Sequence, residues 1–387
     1  MVFKFFNHKN QTRRIISEVV ILSVVFGFAA GIVGQLVADV YLDPWRLYNV
    51  ERPDADTQPV VPELRWTKRF LGIEQDFQVE QALRQNSSTV VGLYRLKRGA
   101  DVLTKLYQPS ELLGNGMLLT SDGWIVTHQA ALGNLKAEQL AVVYRNQAFG
   151  VLSAVTDKMT GVVFIKIAQN NLPVIILGDS DENMTGQLAV TRNALGEAAV
   201  PLIQKPDFQL ITASADFVRS SEAYADRVLL DGDLLASYVG APLLNLAGEV
   251  TGVINAVDRE QQRATAVPLN QFRGIMLNLL KNQAIQRIYL GVEYLDFSQA
   301  PGLDQAITRG LQQGALVYRT PLRQSPAADA GIKANDIIVS VDGQAVDVSN
   351  DLTKLIQQYQ PGDVATITLL RDGTQLEVEV TLALLPE

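Results

Sequence analysis

The feature that most constrains the fold is a series of short apolar runs, separated by turn-forming residues, between about residues 90 and 265. Residues 116–120 and 124–127 flank a Ser-Asp-Gly turn, a pattern typical of a β-hairpin. Many short strands with few helices indicate a mostly β domain, built as a barrel or a sandwich. The other predicted strands are 89–94, 162–167, 187–191, 210–215, 228–230 and 249–256.

Helical spacing of apolar residues occurs in only a few places after residue 70. The run 77–85 predicts a short helix before the first strand, and 270–284 predicts a helix that closes the β domain. The last hundred residues mix strands with two short helices, at about 325–330 and 349–358. They therefore predict a separate α+β module.

An uncharged, mostly apolar stretch occupies residues 19–38. About twenty residues of helix cross a hydrocarbon core of roughly 30 Å, so the stretch predicts a single-pass transmembrane helix. Four cations precede it and acids follow it, which places the basic tail 1–18 in the cytoplasm. A cleaved signal peptide is the alternative, although Leu36-Val37-Ala38 is a poor cleavage site. Residues 39–76, with several prolines, read as a juxtamembrane linker.

Composition excludes several kinds of site. The chain has no cysteine and only two histidines, His8 and His128, so disulfides, thiolate nucleophiles and Cys- or His-rich metal centres are excluded. The net charge is −8, which does not suit nucleic-acid binding. We expect no cofactor, no metal and no nucleic-acid partner.

Four segments, in order, resemble the HtrA (Deg) family of extracytoplasmic serine proteases. Residues 121–127 are similar to the strand pair before the family's catalytic histidine, and 157–167 to the stretch that holds the catalytic aspartate. Residues 177–181 match an "LGDS" turn, and 237–250 resemble the segment that holds the nucleophile. The resemblance implies a trypsin-like double β-barrel over 77–284 followed by a PDZ domain over 285–387.

The resemblance also implies that the catalytic triad is lost. The family's histidine, aspartate and serine fall on Ala130, Gly161 and Val239, none of which has an ionisable or nucleophilic side chain. Two glycines of the family's oxyanion turn fall on Ser237 and Ala241, so we expect that turn to be altered.

Three nearby residues offer a rescue only if the alignment slips. His128 lies two residues before its expected place, Ser237 two before, and Asp157 four before. We expect instead that His128 is a hydrogen-bonded residue at a strand end, that Ser237 is a loop hydroxyl and that Asp157 is a turn former.

The C-terminal module resembles a PDZ domain. Tyr289, Leu290, Gly291 and Val292 resemble the loop whose N–H groups hold a ligand's terminal carboxylate, while the ligand adds as a strand. Leu352, Leu355 and Ile356 share one face of the last helix. They line the side-chain pocket of the groove or, alternatively, belong to the core.

These features predict that the protein is a membrane-anchored, extracytoplasmic pseudoprotease on the periplasmic side of the inner membrane, which binds polypeptides through its PDZ domain. Its expected partners are peptide or protein C-termini and unfolded envelope proteins, and it forms a homotrimer or assembles with an active family member. Two alternatives stay open: a serine-type endopeptidase with a non-standard Ser–Lys site, and a barrel that is only a spacer for the PDZ domain.

Overall fold

The computed structural model describes residues 74–99, 101–282 and 284–386, together with Ser23, Gly27, Ala30 and Gly31, which are helical. The basic tail, the rest of the predicted span 19–38 and the linker up to residue 73 lie outside the described residues. Within the described part of the chain, no helix has both the length and the apolar character needed to span a bilayer. Residues Leu71–Glu387 form one compact unit.

The first half of this unit is a closed six-stranded barrel. Its strands pair in the order β1-β2-β3-β6-β5-β4, and β4 returns to β1 to close the ring. Leu93 and Ile165 are fully buried in one apolar cluster of barrel residues, whereas Phe164, which neighbours Ile165 in the sequence, is buried in a second cluster that also includes Val253. The strands are β1 Val90–Arg95, β2 Gly114–Leu118, β3 Trp124–His128, β4 Leu140–Tyr144, β5 Gln147–Thr156 and β6 Val162–Ile167.

A seven-stranded sheet follows, with the order β8-β7-β12-β13-β14-β11-β9. Helix α1 (Glu74–Asn86) precedes the barrel, α2 (Gln129–Leu132) follows β3, and α3 (Asn270–Asn282) follows this sheet. The strands are β7 Val190–Arg192, β8 Ala198–Ala199, β9 Leu202–Phe208, β11 Arg227–Asp231, β12 Pro242–Leu244, β13 Val250–Asp258 and β14 Arg263–Pro268.

The C-terminal module contains the sheet β10-β16-β17-β18-β20-β21, with β19 added on β18, and a small pair, β15 and β22. Strand β10, which comes from between β9 and β11, joins this sheet as its edge. The bounds are β10 Val218–Ser220, β15 Ile288–Tyr289, β16 Glu293–Asp296, β17 Ala315–Val317, β18 Ile337–Val341, β19 Gln344–Ala345, β20 Val364–Arg371, β21 Thr374–Thr381 and β22 Ala383–Leu384, with helices α4 Gln305–Thr308, α5 Pro326–Asp329 and α6 Leu352–Ile356.

Most predicted elements are present, and the predicted hairpin is β2 and β3, in which Met117 pairs with Val126. The strand predicted at 210–215 is wrong. The Asp216 carboxylate accepts hydrogen bonds from the N–H groups of Thr212 and Ala213, and residues 214–217 form a 3-10 turn. A side chain that caps backbone N–H groups competes with strand pairing, which apolar content alone does not reveal.

Candidate functional site

The structure brings together the three segments that the family resemblance aligns with the catalytic triad, whose aligned residues we call triad-equivalent. Gln129 N–H, next to Ala130, donates to the Gly161 carbonyl at 2.8 Å. On the other side, Val239 packs against the core cluster that contains Ala131. A Cβ at Gly114 would lie 2.5 Å from the Ala131 Cβ and 2.8 Å from the Val239 carbonyl oxygen, so the glycine permits this close approach. Ala130, Gly161 and Val239 thus belong to one cleft, which we call the barrel cleft.

The imidazole of His128 fills space beside Gly161. His128 ends β3 and caps α2, where its Nδ1 accepts the Ala130 N–H at 3.1 Å. A Cβ at Gly161 would lie 2.6 Å from His128 Nε2, and Gly161 has a φ of +75°. The predicted strand-end role of His128 is confirmed, and the ring occupies the room that a side chain at 161 would need.

His128 is neutral at physiological pH. Burial lowers its pKa to about 4, while a hydrogen bond with the backbone of Thr160 opposes this shift and the Arg227 charge adds to it. Because Nδ1 accepts a hydrogen bond, the proton of the neutral ring is on Nε2. The nitrogen with the lone pair is therefore already engaged by a backbone N–H, which leaves no acceptor for a serine proton.

The hydroxyl of Ser237 has partners other than the imidazole. Asn193 Nδ2 donates to Ser237 Oγ at 3.2 Å, and Ser237 Oγ lies 3.5 Å from Glu197 Oε2. An amide is not a base, and the contact with the carboxylate is long. Within the described residues of 74–386, no lysine Nζ hydrogen-bonds a serine hydroxyl, so the geometry nominates no Ser–Lys pair.

In the turn that would form an oxyanion hole, the N–H groups of residues 239–241 are occupied. Val239 N donates to Ala236 O at 3.1 Å, Gly240 N to Ile254 O at 2.7 Å, and Ala241 N to Tyr238 O at 2.9 Å. An oxyanion hole needs free N–H groups that converge on one point of the cleft. In this conformation the N–H groups of residues 239–241 all serve the fold instead.

Asp157 is a buried partner of an arginine from outside the barrel. Its carboxylate accepts two hydrogen bonds from Arg287, one of them from Nε at 3.0 Å, and it accepts another from Thr160 Oγ1. It also accepts the Met159 N–H, as expected of a turn former. The Arg287 partner lies 130 residues away and has no local sequence signal.

In the PDZ loop the predicted N–H groups converge on a carboxylate, and that carboxylate belongs to this chain. Leu290 N and Gly291 N donate to Glu222 Oε1 at 3.1 and 2.8 Å. Gly291 has a φ of +86°, and a Cβ there would lie 2.4 Å from Ser325 Cβ. Glu222 is a residue of the site that sequence reasoning missed, and binding of a ligand's terminal carboxylate at this loop stays a prediction.

The helix residues predicted for the groove are buried in the module's core. Leu352, Leu355 and Ile356 belong to one apolar cluster with Leu290 and Val292. This burial favours the core alternative, and a direct contact with a ligand side chain stays a prediction. Tyr289 is half-buried beside the loop, with its hydroxyl 3.1 Å from the position of a Gly291 Cβ.

A separate cleft of about 950 Å³ opens between α3 and α6. Its lining includes Tyr224, Arg287, Lys354 and Gln357, and it does not include the three triad-equivalent residues. Within the ranges that the structure describes, no three His, Asp or Glu side chains form a group able to hold a metal ion.

Comparisons with known proteins agree with this architecture. The family model for the PDZ domain matches residues 290–382. A probable periplasmic serine endoprotease DegP-like of Pseudomonas fluorescens strain Pf-5 is 28% identical over 284 residues, covering 72% of this chain and 57% of the relative. The corresponding protein of Halomonas elongata is 27% identical, covering 71% and 57%. The chain thus spans less than two thirds of the length of these curated relatives.

Solved structures share the fold. The HtrA-type protease AlgW with tripeptide aligns with a TM-score of 0.61 and 21% identity, covering 80% of this chain and 98% of that one. The same protease with decapeptide aligns with a TM-score of 0.60 and 19% identity, covering 80% and 99%.

Proposed function

Because this chain is a homologue of the HtrA/DegP-like serine endoproteases with a C-terminal PDZ domain, we propose that it binds polypeptides without hydrolysing them. The observation that carries the proposal is the barrel cleft, where the triad-equivalent residues are Ala130, Gly161 and Val239. Hydrolysis needs an attacking oxygen, a general base and oxyanion donors. In this cleft the imidazole accepts a backbone N–H, and the N–H groups of 239–241 are engaged.

The proposed binding element is the PDZ groove. The loop 289–292 offers N–H groups that already hold a carboxylate oxygen, which is the group that a polypeptide C-terminus supplies. Peptide or protein C-termini and unfolded envelope proteins are the proposed ligands, in the role of a scaffold, a regulator or a quality-control adaptor.

The proposed setting is extracytoplasmic. The DegP-like relatives named above are described as periplasmic, and residues 19–38 are the proposed membrane anchor. We also propose assembly as a homotrimer or with an active family member. Crosslinking of the full chain in membranes tests this, since the absence of any crosslinked species larger than the monomer would contradict assembly.

The test of inactivity is labelling of the full chain with an alkyl fluorophosphonate, together with digestion of casein. We expect no labelling and no casein fragments under conditions in which trypsin gives both. Ser237→Ala is the matched control. Labelling of the natural chain that disappears in this variant would overturn the proposal and support the second candidate, a serine endopeptidase, which homology alone favours.

The test of binding is a library of peptides with free C-termini, screened against the full chain. Gly291→Ala is the control, because its Cβ collides with Ser325 and disturbs the loop. Peptides that bind the natural chain and not this variant support the groove. Equal binding to both would place the polypeptide site elsewhere. A library without binders, both for the natural chain and for Glu222→Gln, in which the loop holds no carboxylate, would contradict polypeptide binding.

A further inference from the structure

A segment of the chain lies along the edge of the PDZ sheet where a ligand strand would add. Strand β10 pairs antiparallel with β16, with Val218 opposite Leu295 and Ser220 opposite Glu293, so it runs toward the carboxylate-binding loop. Ser221 N donates to the Val292 carbonyl at 3.0 Å and extends the ladder by one bond. This is the geometry of an added ligand strand.

The opposite side of this segment contacts helix α6. Thr353 Oγ1 donates to the Ser220 carbonyl at 3.1 Å, and Gln357 Nε2 lies 3.4 Å from the Ser221 carbonyl. The segment is therefore held between β16 and α6. We call residues 217–222 the groove segment.

The end of the groove segment satisfies the loop. Glu222 Oε1 accepts the N–H groups of Leu290 and Gly291, and Ser221 Oγ accepts the Val292 N–H at 3.0 Å. Three consecutive N–H groups of the loop thus have partners in the segment. The Glu222 side chain supplies the carboxylate that the C-terminus of a separate peptide would supply.

The groove segment also presents a buried cation. Arg219 is 5% exposed and pairs with Asp226, with Asp296 at 3.5 Å and with Asp351 at 3.3 Å. Asp296 ends β16 and Asp351 caps α6, so two of the three carboxylates belong to the walls of the groove. Without a cation these two carboxylates would be buried with no countercharge, which is strongly unfavourable.

We propose that the groove segment is an internal ligand of the PDZ domain and that external polypeptides bind by displacing it. This inference rests on the proposed function. It also defines the ligand class: a C-terminal carboxylate for Leu290 and Gly291, and a basic side chain two residues earlier for Asp296 and Asp351. Ser221, whose N–H donates to the Val292 carbonyl, takes the place of the ligand's last residue. Arg219 lies two residues before Ser221 and therefore defines the second position.

An internal ligand lowers the apparent affinity for any external one. The apparent dissociation constant equals the intrinsic one divided by the fraction of molecules in which the groove is open. A change that weakens the groove segment and leaves the groove intact must therefore tighten binding of a peptide. Glu222→Gln is such a change, because it removes the charge and retains the size.

The first experiment uses a fluorescent peptide with the sequence of residues 215–221 and a free C-terminus, titrated into the full chain by anisotropy. We expect Glu222→Gln to bind it at least about tenfold more tightly than the natural chain. Glu249→Gln is the matched control, since Glu249 is half-buried and bonds Asn245, away from the groove. Amidating the peptide, or replacing its arginine by alanine, should weaken binding about tenfold.

The second experiment tests occupancy without any peptide. The chain has no cysteine, and Ser220 and Glu293 are directly opposite each other in the ladder. Opposite residues have Cα atoms about 4.5–5.5 Å apart, within the range that a disulfide spans. Ser220→Cys with Glu293→Cys should therefore form a disulfide on mild oxidation, block peptide binding and recover it on reduction. Ser220→Cys with Leu295→Cys, out of register, is the control.

The outcomes separate the two proposals. Equal peptide affinities in the natural chain and Glu222→Gln, with no disulfide, would overturn the internal ligand and leave the peptide-binding function intact. A rapid disulfide in a protein that binds no peptide, even as Glu222→Gln, would support the internal ligand and overturn the peptide-binding function.

Discussion

The barrel cleft and the PDZ groove differ in how they satisfy their N–H groups. In the barrel cleft the partners of Val239 N and Ala241 N are carbonyls three residues away in the same turn. In the groove the partner of Leu290 N and Gly291 N is Glu222, 68 and 69 residues away. Local bonds are lost only when the local fold opens, whereas a remote segment can leave while its binding loop stays formed.

The two regions also differ in charge. The titratable side chain that packs against Gly161 in the barrel cleft is a neutral imidazole, whose acceptor nitrogen bonds a backbone N–H. The groove buries the Arg219 cation among three carboxylates. Because the cation and the carboxylates stabilise each other, removing any one of these charges is costly. The cleft is therefore closed by its own turn, while the groove is closed by a replaceable ligand.

Arg219→Met should have the largest effect, because it leaves Asp226, Asp296 and Asp351 without their cation. We expect a loss of about 3–5 kcal/mol of unfolding free energy at pH 7, measured by urea denaturation of the full chain. Burial already raises the pKa of Asp226 and of Asp296. Without Arg219 the folded state binds protons more tightly than the unfolded state, so the deficit should shrink as the pH falls toward about 5.

The control for this prediction is Arg84→Met, which breaks an exposed pair with Glu80 and should change little. A deficit in Arg219→Met that is small, or that grows as the pH falls, would contradict the charged character assigned to the groove.

His128 should give the barrel cleft the opposite dependence on pH. Its folded pKa of about 4 lies below the unfolded value of 6.5, so between these values the unfolded state binds more protons. The unfolding free energy should therefore fall by up to about 3 kcal/mol as the pH drops from 7 to about 4. His128→Asn keeps the capping acceptor and removes the titration, so its stability should fall less. Parallel pH profiles for the two proteins would contradict a buried, neutral His128.

The elements of the fold could be predicted where the signal is local. Alternating apolar residues around the Asp-Gly turn predicted β2 and β3, whereas the assignment of the triad positions to Ala130, Gly161 and Val239 rests on the family motifs and stays a prediction. The prediction of a strand at 210–215 was wrong because the Asp216 carboxylate accepts hydrogen bonds from the N–H groups of residues 212 and 213.

The groove shows the limit of sequence reasoning. The Leu-Gly motif predicted a loop that binds the terminal carboxylate of a ligand, and in the structure two N–H groups of this loop bind the side-chain carboxylate of Glu222. The carboxylate of Glu222 could not be predicted, because nothing in Ser220-Ser221-Glu222 marks it as a ligand and the contact depends on how the domains pack. Arg287 and Asp157, which are 130 residues apart, show the same limit.

Gly161→Ala should have a smaller effect, confined to the barrel cleft. The new Cβ would lie 2.6 Å from His128 Nε2 in a backbone conformation with φ of +75°, so we expect a loss of about 2–3 kcal/mol. Gly150→Ala, on β5 with open space around it, is the control and should be near neutral. An aspartate at 161, which a restored triad requires, begins with the same Cβ. A tolerated Gly161→Ala would mean that the imidazole moves easily, and the cleft would not be closed by its own fold.

Glu222→Gln should have the smallest effect on global stability, about 1 kcal/mol, because glutamine still accepts hydrogen bonds and loses only the charge. Its effect on opening of the groove should be larger than its effect on global unfolding, since the groove segment can depart while the barrel stays folded. Amide hydrogen exchange separates the two: we expect the N–H groups of Leu290 and Gly291 to exchange about tenfold faster, and those of Gly240 and Ala241 to be unchanged.

Glu249→Gln should leave both sets of amide exchange rates unchanged. Equal acceleration at the PDZ loop and at the barrel turn in Glu222→Gln would mean that the groove opens only when the whole molecule unfolds. The groove segment would then be a fixed part of the core, and the difference between the two regions would disappear. Acceleration that is limited to the loop and to the Ser221 N–H requires that residues 217–222 detach alone, because Ser221 N donates to the Val292 carbonyl through the backbone of the segment.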